Sequence, residues 1–393
     1  MENIIYHSET IRNCFKELKL GMFLSDVHLK HLMSIVTSVF IQGYNGKTVN
    51  FEKFSINHRT TIAHFLNKGK WDDTKLQTIL KSKVIERVYN EARKTGKPIF
   101  CIIDDTISSH TKPSSQALHP IEAAYFHQSH LKKRQDYGHQ SVSVMLSCNG
   151  INLNYTTVMY DKSKSKIEIV KDIADGLPKA PVVSYFLCDS WYTTGKILES
   201  FIKKGFYTIG ALKTNRIIYP LGIRVKVSEF AKLLDKSDSD VNLVTVGNRQ
   251  FYVKRYEGKL NGIDNAIVLI TYPKEAFSNP KALRVFISTN VNLSTREILD
   301  FYLNRWTIEI FFRQSKNILA FDKCQVRKEL GIKRYWLIMS LVHFLCCNYK
   351  TQSNSFEFGF KNFRHIIQSE FITFIYNSAN NGISLNSIIQ RVA

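Results

Sequence analysis

Apolar residues recur every three or four positions over residues 26–40, 51–66 and 73–92, with polar breaks between them, and this spacing predicts three helices. No strand-like alternation occurs before about residue 95. From Pro98 the pattern changes. PIFCIIDDT (98–106) is a short apolar run closed by two aspartates, the pattern of a buried strand that delivers carboxylates to its carboxyl edge. HQSVSVMLSCNGINLNYTTVMY (139–160) holds two extended runs around Asn149-Gly150, a strong two-residue hairpin signal. A helical pattern over 167–174 follows. A second apolar run, PVVSYFLCD (181–189), again ends in an aspartate; a helix over 193–204 is closed by Gly205, and 206–212 supplies one more strand.

Residues 214–284 interrupt this order. Strand patterns over 241–246, 250–256 and 266–272 are separated by the turn-rich DKSDSD, GKLNG and SNPK, and 284–291 reads as a return strand. Ser294 and Glu297 then form a capping box that opens a helix expected to run on through YLNRWTIEIFFRQSK (302–316). A further helix is expected over 333–350, then an Asn- and Ser-rich polar tail to Ala393. Its apolar run, 336–347, is too short to span a bilayer and contains His343, so it reads as a buried core helix.

On the helix at 302–316, Tyr302, Arg305, Glu309 and Lys316 fall within roughly 60° of one face at about 100° per residue. Such a stripe is commonly a solvated surface, but Tyr302 and Trp306 beside the charges favour a cleft. Charge changes the picture further: 54 Lys and Arg against 33 Asp and Glu give a net +21, which favours a polyanionic partner. The basic residues are dispersed rather than gathered beside an apolar anchor, so nucleic acid is favoured over a membrane surface. MENIIYHSET has no basic start followed by an apolar core, which argues against a secretory signal. Seven cysteines without a C-x-x-C pair suggest neither zinc nor disulfides and fit a reducing cytoplasm.

The acids suggest a chemistry. In-line attack on a phosphodiester is served by two divalent ions about 4 Å apart, held by a few hard carboxylate ligands. Asp104 or Asp105, Asp189 and Glu309 are the candidates, with Mg²⁺ the expected ion and Mn²⁺ a substitute. Successive strand side chains face opposite ways, so only one of the Asp104-Asp105 doublet can serve. Taken singly, each aspartate reads as a strand-end turn or helix cap. Arg305 and Lys316 share the glutamate's face, where cations neutralise phosphates, although Arg305 can equally hold an acid in place. Arg313, Lys132, Lys133 and Arg134 are further candidates for DNA contact. The segment 110–139 carries His110, His119, His127, His130 and His139 without zinc-like spacing and reads as a basic, DNA-facing loop.

The pattern Y-x2-R-x3-E-x6-K at Tyr302, Arg305, Glu309 and Lys316, with D-x-T at Asp104 to Thr106 and C-D at Cys188-Asp189, resembles IS4-type insertion-sequence transposases of the DDE class. The resemblance implies an α/β, ribonuclease-H-like mixed-sheet core interrupted by a β-strand insertion, with an N-terminal helical DNA-binding domain. Its boundaries are 1–95 (DNA-binding helices), 96–213 and 285–350 (core), 214–284 (insertion) and 351–393 (tail). Within the first, 55–71 with Arg59 and His64 reads as half of a helix-turn-helix or as part of an ordinary bundle.

The resemblance further implies Asp104, Asp189 and Glu309 as the catalytic, metal-binding triad. Tyr302, Arg305 and Lys316 would contact the phosphate beside the transferred end, and an aromatic of the insertion, such as Phe251, Tyr252 or Tyr256, would trap a flipped base. The expected partner is double-stranded DNA, the element's inverted terminal repeats and a target, engaged by a homodimer on paired ends. Two other classes stay open: a catalytically silent DNA-binding regulator derived from a transposase, and a ribonuclease-H-like nuclease that cuts without joining.

Overall fold

Ser8, Ser25 and Asp72 each turn a side-chain oxygen to a free backbone N–H and start three helices. These are α1 (Glu9–Glu17), α2 (Asp26–Gln42) and, after α3 (Val49–Glu52) and α4 (Arg59–Asn67), α5 (Asp73–Thr95), which Gly96 ends at φ 69°. The computed structural model describes residues 8–43, 47–52, 57–129, 133–348 and 355–392. Helix α2 is buried all round from His31 to Phe40, so its neighbours must cover every side.

The chain continues through β1 (Phe100–Ser109), β2 (Tyr125–Ser129), β3 (Arg134–Cys148), β4 (Ile151–Tyr160), α6 (Lys166–Gly176), β5 (Ser184–Cys188), α7 (Gly195–Ile202) and β6 (Phe206–Ala211). Asn149 and Gly150, at φ 48° and 82°, make the tight turn between β3 and β4. Next come β7 (Ile217–Ile218), β8 (Val225–Lys226), α8 (Val227–Phe230), β9 (Val241–Val246), β10 (Arg249–Leu260), β11 (Ile263–Pro273) and β12 (Arg284–Ser288). Helices α9 (Thr295–Leu303), α10 (Trp306–Asn317), α11 (Glu329–Asn348), α12 (Phe356–Asn380) and α13 (Leu385–Val392) complete it.

Among the described residues twelve strands form one mixed sheet in the order β2-β3-β1-β5-β6-β12-β11-β10-β7-β8, with β4 also on β3 and β9 on β10. Strands β3 and β4 run antiparallel beside β1, whereas β5 and β6 follow in parallel. The segment 214–284 extends this sheet, because β11 pairs with β12 and β12 with β6.

Strand alternation sorts the side chains into two layers. Cys101 and Ile103 join the larger core with α5, α6, α7, α11 and α12. Phe100 and Ile102 face α9 and α10 through Ile298, Ile308 and Phe311. The packing crosses the boundary drawn at residue 95: side chains of α1, α2, α4 and α5 share one core with α11, α12 and the sheet.

Two expectations are corrected. The residues after 350 were read as a polar tail, yet α12 and α13 are helical, because Phe356, Phe360, Phe363 and Ile367 make a buried stripe at helical spacing that docks on Phe40 of α2. The segment 110–139 was read as a loop, yet it includes β2 and the start of β3, with His127 and His139 buried. Helix α11 is, among the described residues, the one helix long and apolar enough to cross a membrane; 78% of its apolar window is buried inside the fold.

Candidate active site

Strand β1 pairs with β5 only from Phe100 to Ile102, whereas its pairing with β3 runs on to Ser109. Asp104 and Asp105 therefore lie within the strand, opposite Ser143 and Val142, rather than at its end as the polar residues suggested. They are nonetheless clear of β5, whose last residue, Cys188, leads directly into Asp189. Two acids thus stand just beyond the paired stretch of two neighbouring parallel strands, Asp104 still within β1 and Asp189 just past the end of β5.

Glu309 arrives on the first turn of α10. A single helix over 294–316 was expected; the structure has two. At Asn304 and Arg305 the backbone keeps helical angles but its hydrogen bonds tighten from four residues to three, and Asn304 Nδ2 competes for the Phe301 carbonyl. Arg305 stands at this junction. Its Nη1 donates to Asp104 Oδ2 at 2.8 Å and its Nη2 to Glu309 Oε1 at 3.2 Å, so one guanidinium joins two of the acids.

Burial pushes the Asp104 carboxyl up to about 7; Arg305 works against this and the like charge of Asp189 adds to it. Asp189 is raised as well, first by burial. Burial opposes the Arg305 charge, but Tyr302, Asp104 and Glu309 outweigh it and hold its pKa above the ordinary value. Tyr302, packed on Phe286 at a ring separation of 4.8 Å, is pushed far above the usual phenol range, first by burial. Lys316 Nζ donates to Thr106 Oγ1 at 2.6 Å and to Ile107 O at 3.1 Å, two and three residues beyond Asp104. Tyr302, Arg305, Glu309 and Lys316 thus all reach the sheet face that carries Asp104.

Other named residues lie elsewhere. Arg134 is nine positions along β3 from Ser143, about 30 Å at strand rise. Lys133 beside it is exposed, and Lys132 and His130 lie outside the described residues. Arg313 is exposed on α10 and acts on Glu357 of α12. Arg59 and His64 are exposed on α4. His110, His127 and His139 are all held below the usual imidazole range, chiefly by burial. Of the aromatics in the insertion, Phe251 lines a cavity of about 490 Å³ with Tyr302, Phe286, Arg249 and Arg284. Tyr252 packs on Phe277 and the Tyr256 hydroxyl bonds Lys259 O, which are strand and turn roles.

Asp105 faces the opposite layer. Lys166 Nζ and the Tyr192 hydroxyl each reach its Oδ2 at 2.8 Å, and Gln140 Nε2 donates to its Oδ1 at 2.9 Å. Sequence reasoning did not find these three partners. Nothing in the spacing of Gln140, Lys166 and Tyr192 announces that the sheet brings them together.

Residues 95–345 match the transposase DDE domain family, and the chain belongs to it. It is a DNA transposase by class. No curated protein sequence matches the chain. Among solved structures it is similar to piggyBac transposase in a synaptic complex with hairpin DNA, with 11% identity over 94% of this chain and 77% of that one and a TM-score of 0.44.

DDE transposases generally use divalent metal ions. The donor set here fits such ions in kind: hard carboxylate oxygens on two partly buried aspartates, with Asp189 raising the Asp104 carboxyl although Arg305 opposes it. Among the described residues no three His, Cys, Asp or Glu side chains stand close enough to hold an ion together. Arg305 supplies the positive charge between Asp104 and Glu309.

Proposed function

We propose that the chain is an IS4-type insertion-sequence transposase with a ribonuclease-H-like core, which binds the inverted terminal repeats of its element, cleaves at their ends and joins the 3′ hydroxyls to target DNA. Asp104, Asp189 and Glu309 are its catalytic and metal-binding residues, with two Mg²⁺ ions, for which Mn²⁺ can substitute. The observation that carries this reading is the Arg305 guanidinium bonded to both Asp104 and Glu309, with Asp189 close enough to raise the Asp104 pKa.

When bound, the ions lower the barrier to in-line attack on a phosphodiester. The protein's own contribution is positional. Asp104 is fixed by a strand, Asp189 by the turn that follows one, Glu309 by a helix, and Lys316 is held to the same strand as Asp104. Arg305 is placed to exchange a carboxylate for a DNA phosphate, for which its planar fork suits it. Tyr302, Arg305 and Lys316 contact the phosphate at the transferred end; Arg313, Lys133 and Arg134 meet DNA further out, and Lys132, outside the described residues, is a further DNA-contact candidate. The helices of residues 1–95 grip the element end.

Pairing of ends calls for a homodimer, and α12 and α13 offer exposed Ile372, Tyr376, Leu385 and Ile389 as a surface for a second copy. Seven buried free cysteines agree with work in a reducing bacterial or archaeal cytoplasm, on the nucleoid.

The test is cleavage of a supercoiled plasmid carrying both element ends in Mg²⁺, for wild type and for Asp104→Asn, Asp189→Asn and Glu309→Gln. Cutting at the end boundaries by wild type alone, with all four proteins binding the DNA, supports the reading. Equal binding with no cutting by any of them in Mg²⁺ or Mn²⁺ points instead to a DNA-binding regulator.

A further inference from the structure

We propose that Asp105 is a positioning residue, which fixes the turn carrying Asp189 against β1 and thereby sets the spacing of Asp104 and Asp189 as a pair of metal donors. This rests on the triad reading above.

Asp105 is not an idle neighbour of Asp104. Its carboxylate takes partners from three separate elements: Gln140 on β3, Lys166 at the start of α6, and Tyr192 in the turn after β5. The Tyr192 side chain is fully buried, so its hydroxyl has little choice of partner. That turn is short and internally bonded. The Trp191 N–H donates to Asp189 Oδ1 at 2.9 Å, and the Tyr192 N–H donates to Asp189 O at 3.3 Å. The Trp191 ring stands edge-on to Tyr192 at 4.9 Å, and the Lys166 ammonium lies 5.2 Å from its centre.

A continuous path therefore runs from Asp105 through Tyr192 to the backbone and carboxylate of Asp189. Strand alternation sends Asp104 to one face and Asp105 to the other, so one strand presents a donor on one side and anchors the second donor from the other side. Among the described residues no parallel strand pairs with β1 beyond Ile102, so at that level the turn is tied to β1 through the Asp105 carboxylate and its partners Tyr192 and Lys166. Partners that orient metal ligands in this way typically change affinity by about tenfold or more when removed.

The test uses the full-length protein and Mn²⁺ as the probe, with bound ion read from the loss of the free Mn²⁺ paramagnetic resonance signal. Tyr192→Phe removes one hydroxyl and keeps the ring; Asp105→Asn keeps the shape and removes the charge. Each is expected to weaken Mn²⁺ binding about tenfold. Each should also shift the half-maximal Mg²⁺ concentration for plasmid cleavage upward by a similar factor, while cleavage at saturating Mg²⁺ stays within about threefold of wild type.

Gly359→Ala, packed against Cys346 and on an element that carries none of the three acids, serves as a destabilised control and should bind Mn²⁺ normally. Normal Mn²⁺ binding by Tyr192→Phe and Asp105→Asn, with binding lost in Asp104→Asn and Asp189→Asn, overturns the positioning role and leaves the triad standing. Normal binding by the last two variants removes the triad itself, and the proposal with it.

Discussion

Arg305 Nη1 donates to Asp104 Oδ2 at 2.8 Å across two elements that meet only in the folded chain. If the guanidinium serves DNA phosphate during the reaction, its loss and the loss of an acid have different signatures. Arg305→Ala is expected to lower plasmid cleavage about 100-fold, the usual effect of deleting one electrostatic donor from a reacting site. Its Mn²⁺ binding in the absence of DNA should be equal to or tighter than that of wild type, because a competing cation has gone. A parallel loss of Mn²⁺ binding would show that the arginine instead holds the acids in register.

Arg334 is a buried arginine, with a task wholly different from that of the partly exposed Arg305. Its guanidinium bonds the carbonyls of Gly69 at 2.8 Å and Trp71 at 3.1 Å and the Asp73 carboxylate at 2.9 Å, and it stacks over the Trp71 ring. It ties α11 to the link between α4 and α5. Arg334→Met should cost about 3 kcal/mol in urea unfolding, since several buried acceptors lose their donor. Arg334→Lys should recover little of this, because a single ammonium cannot reproduce the fork.

His343 gives the fold a dependence on acid. Fully buried between Phe311 and Phe356, with Gln314 as a hydrogen-bond partner, it is pushed down to about 4, chiefly by burial. A depressed pKa means that the unfolded chain takes up the proton first. The stabilising contribution is thus complete above about pH 6.5 and is lost as pH falls toward 4, by roughly 3 kcal/mol in all. Urea titrations at pH 7.5, 5.5 and 4.5 measure it. His343→Phe should flatten the profile across that window; an unchanged slope sinks the assignment.

Gly359 marks where α12 crosses α11. A methyl group there would run into the Cys346 carbonyl, a backbone atom with no room to yield. Gly359→Ala is therefore expected to destabilise by about 1–3 kcal/mol through overpacking, although alanine favours helices. Thermal unfolding of the two proteins side by side decides it.

Local chemistry was readable and distant partnership was not. The Asn149-Gly150 turn and the Ser294 and Glu297 capping box depend on neighbours a few residues away, and both stand as their residues imply. The split of Asp104 from Asp105 follows from the two-residue period of any strand. By contrast, β1 continues through Thr106 to Ser109 because β3 lies alongside, and polar residues in isolation do not report a partner. The three ligands of the Asp105 carboxylate come from β3, α6 and the turn after β5, which no local pattern connects. At Asn304 the helical apolar spacing carries on while the backbone tightens, so periodicity alone hides the break that places Arg305.

Beyond Ile102, β1 has one edge without a strand partner among the described residues, and such an edge invites a strand from another molecule to add on. Here the Ile107 carbonyl on that strand is already bonded by the Lys316 ammonium, and Arg305 covers Asp104 three residues before it. Charged side chains are what sheet proteins place on exposed edges to stop them from zipping together. The cations that bond this strand thus also guard its edge against aggregation, and replacing Lys316 with an apolar residue is expected to open the molecule to self-association.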